Sequence, residues 1–109
     1  MITKEKLVTS YFGYWPEFAD GKLEKLTYDA TGGIELAVHY IDSAKQKSAH
    51  IGLRFGSVSD VSLNNLLSEN VIDSLRISDS EPHNISIDAC YGLDGSFKCK
   101  DVEVLYVDA

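Results

Sequence analysis

The chain has 109 residues, 44% of them hydrophobic and 25% charged, and reads as a single globular domain over residues 1–109. Seventeen acids against ten bases leave a net charge of −7, which argues against nucleic acid as a partner because such binding needs clustered cations. The longest apolar run is four residues, Val104 to Val107, so no membrane span, secretory signal or disulfide framework is expected, and a soluble cytoplasmic protein is.

One helix is predicted at the start. Thr3 suits the N-cap, Glu5 the first turn, and Leu7, Val8, Tyr11 and Phe12 form an apolar stripe. Ile2 and Leu7 are placed for a hydrophobic staple. Gly13 follows where a left-handed residue ends a helix, and Pro16 forbids continuation.

After Lys22 the period switches to two. Leu26, Tyr28 and Ala30 share one face of a first strand, and Ile34, Leu36, Val38 and Tyr40 one face of a second. Even positions must then oppose even ones, which requires a loop of odd length; Thr31-Gly32-Gly33 supplies it. A third strand alternates Ile51, Leu53 and Phe55 with His50, Gly52 and Arg54. Val58, Val61 and Leu63 suggest a short fourth after a turn near Gly56-Ser57, and Leu66-Leu67 a helical turn before a strand carrying Leu75 and Ile77.

The end of the chain is predicted to be a hairpin turning at Asp94-Gly95. A two-residue turn opposes Ile87 to Val102 and Ile85 to Val104, and sets Cys90 across from Cys99 and Asp88 against Asp101. A four-residue loop parts both of the last two pairs, and the pattern does not choose between them. The expected architecture is β-rich α+β: an N-terminal helix, then about seven mostly antiparallel strands forming a curved sheet or sandwich.

The charge is unevenly spread. Residues 58–97 hold seven acids and one base, Arg76, while the rest of the chain holds ten acids and nine bases. Such a stretch is either a solvated surface or a docking face for a basic partner.

No catalytic constellation emerges. His39, His50 and His83 are 11 and 33 residues apart, which matches no metal-ligand spacing, and surface or edge positions are expected for them. Cys90 and Cys99 read as structural thiols, with a cross-strand disulfide or a reactive thiol as the alternatives. Asp88, Asp101 and Glu103 read as a solvated sheet face rather than a cation site. Neither a cofactor nor a metal is expected.

The segment Phe12-Gly13-Tyr14-Trp15-Pro16-Glu17-Phe18-Ala19-Asp20 contains four of the eleven aromatic residues and the one tryptophan. It is either a corner plugging the end of a β core or a set of interface anchors around a rigid proline. This segment resembles the opening of the immunity protein 50 family, G-x-W-P-x-F-H-D, through Gly13, Trp15, Pro16, Phe18 and Asp20; the family's His is Ala19 here. His50 to Phe55, Asn70-Val71-Ile72 with Leu75 and Ile77, and Cys99 near the last strand extend the resemblance over nearly the whole chain.

The resemblance implies a non-enzymatic bacterial immunity protein that binds and neutralises a cognate toxin of a polymorphic toxin system. The charge suggests that Asp60, Glu69, Asp73, Asp79, Glu81 and Asp88 form the toxin-binding face, and that the toxin is cationic, for instance a nuclease with a basic cleft. The competing hypothesis is a small-molecule-binding or weakly enzymatic β domain with its site near Trp15 and Tyr14.

Overall fold

The computed structural model describes residues 2–109. In chain order the elements are β1 (Ile2–Thr3), α1 (Lys6–Phe12), β2 (Lys22–Asp29), β3 (Gly33–Asp42), β4 (Lys47–Gly56), β5 (Ser59–Asn64), β6 (Val71–Ile77), β7 (His83–Tyr91), β8 (Asp94–Cys99) and β9 (Asp101–Asp108). The strands form one mixed sheet in the order β1-β9-β4-β3-β2-β6-β7-β8-β5. The architecture is therefore β-rich α+β as expected, but with nine strands rather than seven, in an open sheet edged by β1 and β5. The β1–β9 pair is parallel; it joins the two ends of the chain and so needs no crossover connection.

The β2–β3–β4 meander follows the period-two pattern. Ile34, Leu36, Val38 and Tyr40 are all buried, and Ile34, Leu36 and Val38 pair with Phe55, Leu53 and Ile51 of β4. From Lys25 onward even residues of β2 oppose even residues of β3, with Leu26 opposite Leu36 and Tyr28 opposite Ile34; a bulge after Leu23 shifts the register before that. The loop is odd, as expected, but spans residues 30–32, one position earlier, and Gly32 takes its left-handed conformation at φ 92°. The Asp29 carboxylate sets this position by accepting bonds from the Thr31 hydroxyl and from the Thr31 and Gly33 backbone N–H groups. Tyr28 and Ala30, expected on the core face, are exposed; they lie at the far end of β2 from Lys22, its one pairing position with β6.

The terminal hairpin differs from expectation. Asp94-Gly95 lies inside β8 and is not a turn; the chain turns at Gly92-Leu93, where Gly92 has φ 87°. Ile87 opposes Gly95 and Ile85 opposes Phe97, so Cys99 faces His83 and not Cys90. Val102 and Val104 belong to β9 and pair with Phe55 and Leu53. Asp88 is consequently on a different strand pair from Asp101 and Glu103.

Two connections explain this change. β4 runs into β5 and β8 runs into β9 at the same corner, where the Lys100 N–H donates a 3.0 Å bond to the Gly56 carbonyl. The paired arms β4/β9 and β5/β8 are thus one two-stranded ribbon bent in the middle. The bend brings the inner faces of the two sheet halves together, and Phe55 meets Phe97 edge-to-face at 5.2 Å.

Helix α1 begins later than expected. Glu5 occupies the N-cap with no side-chain bond, and Thr3 pairs with Glu103 in β1. Leu7 is 45% exposed while Val8 and Phe12 are fully buried, so the staple does not form: strand pairing of Ile2 and Thr3 wins over capping. Gly13 does end the helix, at φ 88°, with its N–H bonded to the Thr9 carbonyl. Lys45 and Lys47 reach from the β3–β4 turn to the last helical carbonyls, with Nζ 2.6 Å from Phe12 O and 2.7 Å from Tyr11 O. Cations at that end also complement the helix dipole.

Candidate functional site

The aromatic segment is stitched between the two sheet halves. Leu75 N–H donates to the Glu17 carbonyl (2.7 Å), Asp20 N–H to the Ile72 carbonyl (2.7 Å), and Ile72 N–H to the Gly21 carbonyl (2.8 Å). These bonds fill the gap where β2 and β6 pair at a single position, Lys22 opposite Val71. Phe18 and Asp20 adopt left-handed φ angles of 59° and 63°, unfavourable for non-glycine residues by on the order of 1–2 kcal/mol each. Complete burial of the Phe18 ring offsets this. Pro16 is also buried, and Trp15, half-buried, meets Phe18 edge-to-face at 6.0 Å. The corner-plug reading therefore holds for Phe18 and Pro16.

Trp15 does more than plug. It borders a groove of about 770 Å³ whose wall includes Glu5, Glu17, Arg76, Asp79 and Asn84. Arg76 Nε lies 3.6 Å from Glu17 Oε1, leaving an excess of carboxylate around the tryptophan. Tyr14 is directed elsewhere: its hydroxyl joins Tyr40 and Asp42.

Asp60, Glu69, Asp73, Asp79, Glu81 and Asp88 are all exposed and lie on the half-sheet β6-β7-β8-β5 or its loops. Asp73 and Asp88 sit on adjacent strands, and Asp88 accepts a 3.1 Å bond from the Ser74 hydroxyl. Asp79 and Glu81 share the turn between β6 and β7. Asp60, on the edge strand β5, is partnered by Lys98 Nζ at 3.4 Å, and Glu69 lies in the loop after it. The six thus lie on one half of the sheet and its loops, with Asp60 and Glu69 toward opposite ends of the β5–β8 pairing. The same half-sheet and its loops also expose Val61, Leu66, Leu67 and Tyr91; Leu66-Leu67 forms no helical turn.

Both cysteines are free. Burial, then the Asp73 and Asp20 carboxylates, push the Cys90 thiol up, and its sulfur lies 3.8 Å from Asp73 and 3.9 Å from Asp20. Burial, then Asp101 and Glu81, push Cys99 up to about 11. Neither setting favours a thiolate.

Of the three histidines, expected at surface or edge positions, His83 alone departs. His83 is buried, with Nδ1 donating 2.7 Å to the Ser78 carbonyl. His39 and His50 lie on the outward face, directly opposite one another in β3 and β4 with rings stacked at 4.3 Å. Glu24 joins them, its Oε1 2.7 Å from His50 Nδ1. Linear spacing misses this cluster; the hairpin register, extended outward from Ile34 opposite Phe55, finds the pair.

The molecule is a bent β-sheet protein with one acidic half and an aromatic segment closing the gap between halves. No helix among the described residues is long and apolar enough to cross a membrane. The chain belongs to the immunity protein 50 family, whose model matches residues 4–109. No curated protein and no solved structure gives a match.

Proposed function

We propose that this chain is a cytoplasmic, non-enzymatic immunity protein that binds and neutralises a cognate protein toxin through the half-sheet β6-β7-β8-β5. The carrying observation is that Asp60, Glu69, Asp73, Asp79, Glu81 and Asp88 fall on that one half, which also exposes Val61, Leu66, Leu67 and Tyr91. Apolar anchors within a charged rim are the usual anatomy of a specific interface. Carboxylates spread over such a face match the cationic cleft of a phosphate-binding enzyme, so a basic nuclease is the toxin class that fits. Nuclease–immunity pairs are among the tightest complexes known. The groove beside Trp15, with Glu17 and Asp79 on its wall, suits one cationic side chain of that partner.

Binding of the purified chain to the toxin encoded beside it tests the reading. A 1:1 complex is expected, with an association rate that falls steeply between about 0.02 M and about 0.5 M salt. A rate indifferent to salt, or no complex, contradicts it. The groove also supports a second reading, a small-molecule site at Trp15, which requires a ligand that changes tryptophan fluorescence without toxin present.

A further inference from the structure

We propose that Glu24, His39 and His50 form a binding site for a divalent transition-metal ion of the zinc class, on the outward face of β2–β3–β4 and away from the acidic half-sheet. Among the described residues this is the one group of three His, Cys, Asp or Glu side chains whose donor atoms converge, all lying within 4.8 Å of one another. Two imidazoles and a carboxylate are a donor set that suits zinc, copper, nickel or iron and disfavours magnesium and calcium, which take oxygen ligands.

Each donor is placed by the backbone. His39 and His50 are a cross-strand pair on the face opposite Val38 and Ile51, so their rings stack at 4.3 Å and 11° with nitrogens available on one side of the sheet. Glu24 reaches them because β2 bulges there. Leu23 pairs with Val38 and Lys25 with Ala37, leaving Glu24 as the extra residue, and a bulge re-aims the side chain it carries. Its carboxylate extends across β3 to His50 Nδ1 at 2.7 Å.

The size is right. Zinc–nitrogen bonds of about 2.0–2.1 Å hold tetrahedral donors about 3.3 Å apart. Donors now separated by 2.7 Å between Glu24 and His50 and by at most 4.8 Å overall reach that spacing by opening about 0.6 Å or closing roughly 1.5 Å, within reach of side-chain rotation in partly exposed residues. Three protein donors leave at least one coordination position facing solvent, the pattern of an open rather than a structural site.

Calorimetric titration of the chelator-treated chain with zinc chloride tests the assignment. One zinc per chain is expected, with a rise in the thermal midpoint on addition of the metal. His39→Gln, His50→Gln and Glu24→Gln should each weaken binding by roughly 100-fold, since even partners outside the coordination shell cost 10–100-fold. Cys90→Ser, which removes the sulfur near Asp20 and Asp73, should leave it unchanged. All four variants should keep the wild-type midpoint in chelator, so loss of binding is separable from loss of fold. Binding that survives His39→Gln and His50→Gln, binding lost in Cys90→Ser, or no binding at about 1 mM zinc (far weaker than zinc sites in folded proteins) overturns the proposal.

Discussion

The Tyr14 hydroxyl donates a 2.7 Å hydrogen bond to Asp42 Oδ2, fastening the segment after the helix to the far end of β3. With that proton committed, Tyr40 supplies the proton of its own 2.7 Å bond to Tyr14. Burial, and then these two bonds, hold the Tyr14 hydroxyl well above the usual tyrosine range. Tyr14→Phe removes both bonds while keeping the ring. It is expected to lower the thermal midpoint by a few degrees and to shift the fluorescence of neighbouring Trp15, both read in one melting experiment.

The same contact predicts a pH dependence. The Tyr14 hydroxyl, then the Lys45 backbone N–H and the Lys45 charge, hold the Asp42 carboxyl below the usual carboxylate range, against an opposing effect of burial. Asp29 is lowered likewise, first by the Thr31 hydroxyl and the Gly33 N–H. A carboxylate whose folded-state value is depressed stabilises the fold fully above its unfolded value of about 3.9, and that stabilisation drains as the pH falls through the folded value. Urea unfolding midpoints should therefore drop below about pH 4. Asp42→Asn should have the lower midpoint at neutral pH and a shallower acid loss.

Phe18 is the keystone of the aromatic segment. Its ring is fully buried and touches both Trp15 and Tyr40 edge-on. Phe18→Ala should cost about 3–5 kcal/mol by lost transfer energy and the cavity left behind. Denaturant titration measures it; a loss below about 1 kcal/mol would show that the segment does not hold the sheet halves together.

The thiols should behave as two independent groups. Cys99 is 1% exposed and opposite His83, while Cys90 is exposed beside Asp73 and Asp20. Mild oxidation should leave no Cys90–Cys99 bridge. Maleimide at neutral pH should modify Cys90 slowly and Cys99 only on unfolding, read by intact mass.

The parts of the fold legible in the sequence are those where one pairing phase persists. Ile34 to Tyr40 and Ile51 to Phe55 keep a single phase, and β3 and β4 form as the alternation requires. The end of the chain misleads because the phase slips. Phe97 and Cys99 point inward from odd positions, Val102 and Val104 from even ones, and Lys100 between them is the corner where β8 hands over to β9. That slip is visible in the sequence and marks the bend, whereas the Asp94-Gly95 dipeptide signals a turn at a place where β8 runs straight. At the candidate site, the acidic stretch is legible as composition, since charge density needs no register. The Trp15 groove is not, because it brings together segments distant in sequence; of the cluster, the β3–β4 register yields the His39–His50 pair, but the bulge that adds Glu24 leaves no mark in the alternation.

Charge reversal on the acidic half tests the account most directly. Asp73→Lys, Asp79→Lys and Glu81→Lys are all surface changes, and the triple variant should retain the wild-type circular dichroism spectrum. Its affinity for the toxin should fall by roughly 100-fold or more, consistent with a few kcal/mol for juxtaposed like charges, and cells expressing it should lose protection. Undiminished affinity and full protection in the folded triple variant would contradict the assignment of this face.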